Sequence, residues 1–297
     1  AATIHREYHD STEIQISKLV SVKTGGCSED CGYCSQSARY NTGVDKEKMM
    51  ELEEVLKLAK GAKSIGSSRV CLGTAWRNVK DDADFDKVLE MVKSINEMNL
   101  EVCCTLGMLT ESQANRLSDA GLYAYNHNLD TSEEYYKAVI STRAYEDRLK
   151  TIKNARKAKL SVCSGGILGM GESVEDRVSM LFTYSNMDIP PESVPINALI
   201  PVEGTPLEDQ KIVSIWDMLR MIATTRIVLA NSAVRLSAGR TNMSDEGQAL
   251  CFLAGANSIF AGDKLLTAPN PEYNKDQELF QILGLKPMKA YKKGDKP

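Results

Sequence analysis

Three cysteines fall within eight residues, in Cys27-Ser-Glu-Asp-Cys31-Gly-Tyr33-Cys34, directly after Gly25-Gly26. Thiolates are the natural ligands of iron–sulfur clusters, and three on one glycine-containing loop can wrap a compact cluster. Three protein ligands on a four-iron cube leave one iron open to another ligand. Zinc sites usually group four ligands as two CxxC-like pairs, and no second pair at that spacing is present. Five more cysteines stand at 71, 103, 104, 163 and 251. The run GGILGMGE at 165–172 is not followed by GK[ST], which excludes a P-loop. Asn126, Asn128 and Asp130 gather polar groups in one short stretch, and Arg148 and Asn197 are further candidates for binding a polar ligand.

Eight β-rich runs are available to position these groups, near 17–24, 68–73, 100–107, 123–130, 160–166, 193–200, 233–239 and 257–262. Helical signals lie between them. Leu52, Val55, Leu56 and Ala59 repeat at helical spacing, as do Phe85, Val88, Leu89, Val92 and Ile95. Thr110 to Gln113 reads as a capping box, with Gly121 closing that helix. Most runs are apolar on both faces, as a parallel sheet covered by helices requires. Eight β-then-α units predict a (βα)8 barrel, whose typical length is ~250 residues. A doubly wound open sheet is the alternative. One domain is expected over 1–297, with the barrel at about 16–270 between terminal extensions and a disordered basic end, KAYKKGDKP.

Side chains alternate along a strand, so Val70 and Leu72 facing the helices turn Cys71 into the barrel. Cys163 sits in the same sense between Val162 and Ser164. Of the adjacent pair, Cys103 points inward if Val102 faces the helices; the other register puts Cys104 inside. A buried free cysteine is ordinarily a small hydrophobe, and Cys251 is read that way. Three inside one barrel exceed that reading. Other residues have ordinary readings too. Asp130-Thr-Ser-Glu resembles a helix start, Arg148 a surface charge and His127 a satisfied core histidine. Asn197, expected to be buried, needs a hydrogen-bonding partner.

The 297 residues are 42% hydrophobic, enough for a sizeable core. Thirty-six basic against 40 acidic residues leave a net charge of −4, which disfavours nucleic acid as a partner. Apolar runs are too short to span a membrane. The first residues lack the apolar stretch of a secretory signal, so the cysteines are expected reduced in a cytoplasmic enzyme.

CxxxCxxC with Tyr33 just before its third cysteine resembles the signature of the radical SAM superfamily. There the three thiolates hold a 4Fe–4S cluster whose fourth iron is chelated by S-adenosylmethionine. KTGGCSEDCGYCSQSARY, RVCLGTAW, TLGMLTESQANRLSDAGLYAYNHNLDTS, VCSGGILGMGE, PPESVPIN, VRLSAGR and CFLAGANSIF resemble, in order, the branch that forms biotin by inserting sulfur into dethiobiotin. YNHNLDTS and VRLSAGR are the most specific, and the segments run from about residue 17 to 270.

The resemblance implies a TIM-type barrel and assigns Cys27, Cys31 and Cys34 to the 4Fe–4S cluster. It assigns Cys71, Cys103, Cys163 and Arg235 to a 2Fe–2S cluster that donates the sulfur. An arginine ligand follows from resemblance alone, since a guanidinium is normally charged and has no free lone pair. Asn128, Asp130, Arg148 and Ile167 are implied to hold S-adenosylmethionine: Asp130 at the ribose, Arg148 at the methionyl carboxylate and Ile167 beside the adenine. Asn128 and Asn197 are implied to contact dethiobiotin. An electron donor such as flavodoxin or ferredoxin and a homodimer are also implied. A related barrel acting on a small amino acid without sulfur insertion is the alternative, and the second ligand set argues against it.

Overall fold

The computed structural model describes residues 1–290. Eight strands succeed one another in chain order: β1 (Glu13–Lys23), β2 (Arg69–Thr74), β3 (Glu101–Thr105), β4 (Ala124–Asn126), β5 (Ser161–Cys163), β6 (Ser193–Ala198), β7 (Ala233–Leu236) and β8 (Ser258–Ala261). Each is parallel to the next, and β1 pairs with β8 as well as with β2. The ring is therefore closed, as the eight sequence runs predict, and the open sheet is excluded. Strand β5 meets β6 at only one residue pair, Cys163 with Ser193. The separate segment Gly166–Leu168 then continues the pairing along β6. Gly165 makes this crossing possible, because a Cβ there would stand 1.9 Å from the Pro195 carbonyl oxygen.

Helices cover the outside of the ring. Val70, Leu72, Val102 and Cys104 pack outward into one large core with Phe85, Val88, Val92 and Ile95 of helix Ala83–Asn96. Inside the ring, Cys71, Cys103, Ala124, Phe260 and Leu265 form a separate apolar cluster. The helix Glu111–Asp119 opens with the predicted Thr110–Gln113 capping box. Helix Glu133–Val139 is capped by Ser132 rather than Asp130, which frees the Asp130 carboxylate for other partners. At the ends, helix Ala2–Tyr8 precedes β1, and Lys286–Pro287 pairs with its first residues. The basic end expected to be disordered lies, from residue 291 on, outside the described residues.

Candidate active site

A cavity of about 190 Å³ opens at the C-terminal ends of the strands, where barrels of this type place their chemistry. Its wall brings together Cys27, Cys31, Cys34, Asn128, Asp130 and Arg148. The cysteine loop is tied down on both sides. Tyr33 donates its hydroxyl to Asp130 Oδ2 at 2.6 Å, and Asp30 accepts from the Ser141 and Thr142 amides at 3.0 and 3.1 Å. Burial pushes the Cys31 thiol up to about 11 and the Cys34 thiol up to about 12. Such thiols ionise only when a cation compensates them, which cluster iron does. Among the described residues, no three Cys, His, Asp or Glu side chains stand close enough to hold a single metal ion. A larger cluster bridging the three loop thiols suits this donor set better than zinc does.

The polar wall is under-satisfied in a way that fits an absent ligand. Thr74 Oγ1 and His127 Nε2 are buried without a hydrogen-bond partner, Glu29 Oε1, Arg143 Nε and Arg148 Nη2 are held only in ion pairs, and all five residues line this cavity. Buried polar atoms normally have hydrogen-bond partners, so this concentration of under-bonded polar groups and buried charge around one space marks a site built for a polar, charged molecule. Arg148 is fully enclosed rather than a surface charge. Its Nη2 lies 2.5 Å from Asp130 Oδ2, its Nε donates to Tyr136 at 2.7 Å and its Nη1 donates to the Asn128 carbonyl. Tyr33 and Arg148 both meet Asp130 Oδ2, leaving Oδ1 for a ligand. Asn128 accepts from the Gly165 amide at 3.1 Å. Ile167 is half-buried and paired with Asn197, and neither reaches this wall.

Two expectations need correction. His127 is buried but unsatisfied, and it lines the same cavity as Asn128. Strand β4 ends at Asn126, so strand alternation no longer governs His127, and its ring reaches the cavity. Burial, with Arg148 and Arg143 nearby, holds its imidazole neutral. Asn197 is half-buried rather than buried. Its amide donates to the Gly166 carbonyl at 3.0 Å and accepts from the Ala238 amide at 3.2 Å, stitching neighbouring segments together.

Beneath the cavity lies a layer of inward-facing cysteines. Cys71 and Cys103 are register partners on adjacent strands, and both are buried. Asn126 Nδ2 donates to Cys163 Sγ at 3.4 Å, linking this layer to the cavity above. Arg235 is wholly buried, with Nη1 3.8 Å from Cys163 Sγ. Ser258, Gln15 and Ser17 accept its other donors at 2.9, 3.0 and 3.2 Å, and the Phe260 ring lies 4.5 Å away. No carboxylate is among these partners. A buried guanidinium set among thiols suits an anionic, thiolate-bound cluster, whose charge would balance it. Burial raises the outward-packed Cys104 thiol.

Sequence reasoning missed Glu29, Arg143 and the seat of Arg235. Glu29 lies 3.4 Å from Arg77 and 3.8 Å from Arg143. The legible signal for the seat was polar residues at the inward positions of a strand, Gln15 and Ser17, where a barrel usually carries Val, Ile or Leu.

Residues 21–183 match the radical SAM superfamily, and 195–286 match the Biotin and Thiamin Synthesis associated domain. The chain is 65% identical to the biotin synthase of Christiangramia forsetii over 297 residues, covering all of this chain and 82% of that protein. It is 56% identical to the mitochondrial biotin synthase of Arabidopsis thaliana, covering 96% of this chain and 76% of that one. The crystal structure of methylornithine synthase superposes with a TM-score of 0.81 at 20% identity, over 97% of this chain and 87% of that one. That likeness concerns the fold.

Proposed function

The chain belongs to the biotin synthase family of radical SAM enzymes, which form biotin from dethiobiotin, and on that footing we propose a division of labour between its two layers of thiols. Cys27, Cys31 and Cys34 hold the 4Fe–4S cluster. Cys71, Cys103 and Cys163, with Arg235, seat the second cluster, 2Fe–2S, on the inner wall. When bound, the clusters and S-adenosylmethionine supply reductive radical chemistry and the sulfur, which no side chain here can provide.

The protein's own part is binding, orientation and exclusion of water. The Arg148 guanidinium holds the methionyl carboxylate, and Asp130 Oδ1 accepts from the ribose. Tyr33, tied to Asp130, fixes the cysteine loop against the residues that receive the nucleoside. Ile167 offers an apolar face for the adenine. Asn128 and Asn197 each retain unused amide capacity for the urea group of dethiobiotin. Phe260, Leu265 and Ala124 pack around Cys71 and Cys103 and give that part of the layer an apolar surround. The convergence of buried, under-bonded polar groups on the thiol-lined cavity carries this reading. Anaerobic turnover of dethiobiotin to biotin, with S-adenosylmethionine and a reductant, tests it. A protein that cleaves S-adenosylmethionine yet leaves dethiobiotin untouched would exclude it.

We read 1–297 as one domain. The two family matches meet between 183 and 195, within a sheet that runs on from β5 to β6. Eight free cysteines suit a reducing compartment, for which we propose the cytoplasm, with flavodoxin or ferredoxin as electron donor. Among the described residues no helix is long and apolar enough to cross a membrane. A homodimer finds support in helix Val174–Ser185, where Val174, Val178 and Phe182 are 63, 56 and 68% exposed. Trp216, on the neighbouring helix Ile215–Val228, is also exposed, at 59%. Phe182→Glu with Trp216→Glu is expected to convert a dimer to monomer in light scattering. An unchanged mass would place the interface elsewhere.

Asn197→Leu is expected to weaken dethiobiotin by ~1–3 kcal/mol, since it leaves a polar substrate group unpaired. That is roughly 5–150-fold in affinity. S-adenosylmethionine binding should change far less. Isothermal titration of the two ligands decides the point, and equal losses would reduce Asn197 to strand stitching.

A further inference from the structure

A second and larger cavity, about 300 Å³, lies at the opposite end of the barrel, against the first residues of the strands. Two residues along a strand bring a side chain back to the same face, about 6.6 Å further on. Arg69 therefore stands directly below Cys71, Ser161 below Cys163 and Ala233 below Arg235, and all three line this cavity. Ser193, the register partner of Cys163, lines it too, as does Gln15, which accepts from Arg235 Nη2. The cysteine layer is thus one layer of side chains away from a second opening.

That intervening layer is polar, although barrel interiors are ordinarily closed by Val, Ile and Leu. It includes Arg69, which lines the cavity and is held in a buried ion pair with Glu101 at 2.7 Å. Ser193 Oγ is buried beside this cavity without a hydrogen-bond partner. The cavity is far larger than the roughly 10–15 Å³ of probe-occupied space that one water needs. Sulfur inserted into a product leaves with that product, so the inner layer must be resupplied. The mouth at the other end is the one built for S-adenosylmethionine and substrate.

We propose that the cavity at the N-terminal ends of the strands is a second, aqueous mouth through which hydrosulfide and ferrous iron reach the Cys71–Cys103–Cys163–Arg235 layer. The proposal rests on reading that layer as the seat of the sulfur-donor cluster. Ala233→Trp plugs the mouth from β7, and Ser161→Leu narrows it from β5. Neither touches the thiol-lined cavity above.

The test is iron release from the loaded enzyme to a small ferrous chelator, with S-adenosylmethionine and dethiobiotin saturating the upper mouth. Release from the second cluster should slow about tenfold in either variant, a barrier increment of about 1.4 kcal/mol. Retained cleavage of S-adenosylmethionine checks that each variant is folded. A rate unaffected by both plugs, but slowed by the saturating ligands, would overturn the second mouth. Should the enzyme hold no iron beyond the first cluster, the reading of the layer fails separately. Labelling of Cys71, Cys103 and Cys163 by methyl methanethiosulfonate then still decides the mouth. Slower labelling in the plugged variants supports it, and equal labelling refutes it.

Discussion

Cleavage of S-adenosylmethionine is expected to disappear when Cys27, Cys31 or Cys34 is replaced by alanine, measured as 5′-deoxyadenosine formed under anaerobic reduction. No other described cysteine lines the cavity beside them, so no nearby thiol can substitute. The loop is held by Tyr33, Asp30 and their partners and has little freedom to recruit one. The loss should exceed the roughly 10–100-fold that removal of an outer-shell partner costs a metal site. Persistent 5′-deoxyadenosine in the triple variant would refute the assignment of this loop. The inner thiols should be spared, so iron and sulfide belonging to the second cluster should remain.

The second large effect separates radical formation from sulfur insertion. Changing Cys71, Cys103 or Cys163 to alanine is expected to remove the second cluster while the CxxxCxxC cluster stays. Such variants should still form 5′-deoxyadenosine but make no biotin. Cys104→Ala should keep both clusters and lose only packing, roughly 1–2 kcal/mol, because its thiol faces the helices. Arg235→Lys keeps the charge but loses the fork that reaches Ser258, Gln15 and Ser17 at once. Iron and sulfide content with visible spectra, read beside biotin yield, distinguishes these cases. Loss of the second cluster in Cys104→Ala but not in Cys103→Ala would reverse the inner and outer roles. Undiminished biotin in all three inner variants would place the sulfur source elsewhere.

Local pattern carried much of this molecule. The spacing of Cys27, Cys31 and Cys34 is a property of one loop, and strand periodicity needs only adjacent residues. Both survive unchanged into the fold. Eight alternating units announced the barrel because each strand must be covered by the helix that follows it. The capping box at Thr110 and the inward turn of Cys71 were equally local. The choice between Cys103 and Cys104 was not. It depended on which face of β3 meets helix Ala83–Asn96, and packing of Val102 and Cys104 there decided it.

Tertiary structure alone decided the rest. Asp130 and Arg148 are 18 positions apart, and only the fold brings them together with Tyr33, which is 97 positions from Asp130. His127 turned from a satisfied core residue into an orphan on the cavity wall because β4 stops one residue earlier. Asn197 changed from a buried amide into a half-buried stitch because β6 is joined by two separate segments, Ser161–Cys163 and Gly166–Leu168. Arg235 draws its partners from residues 15, 17 and 258, near the two ends of the barrel sequence. Such groups meet only when β8 closes on β1. Periodicity assigns a side chain to a face, whereas its partners on that face depend on strand register and closure, which are set by contacts distant in sequence.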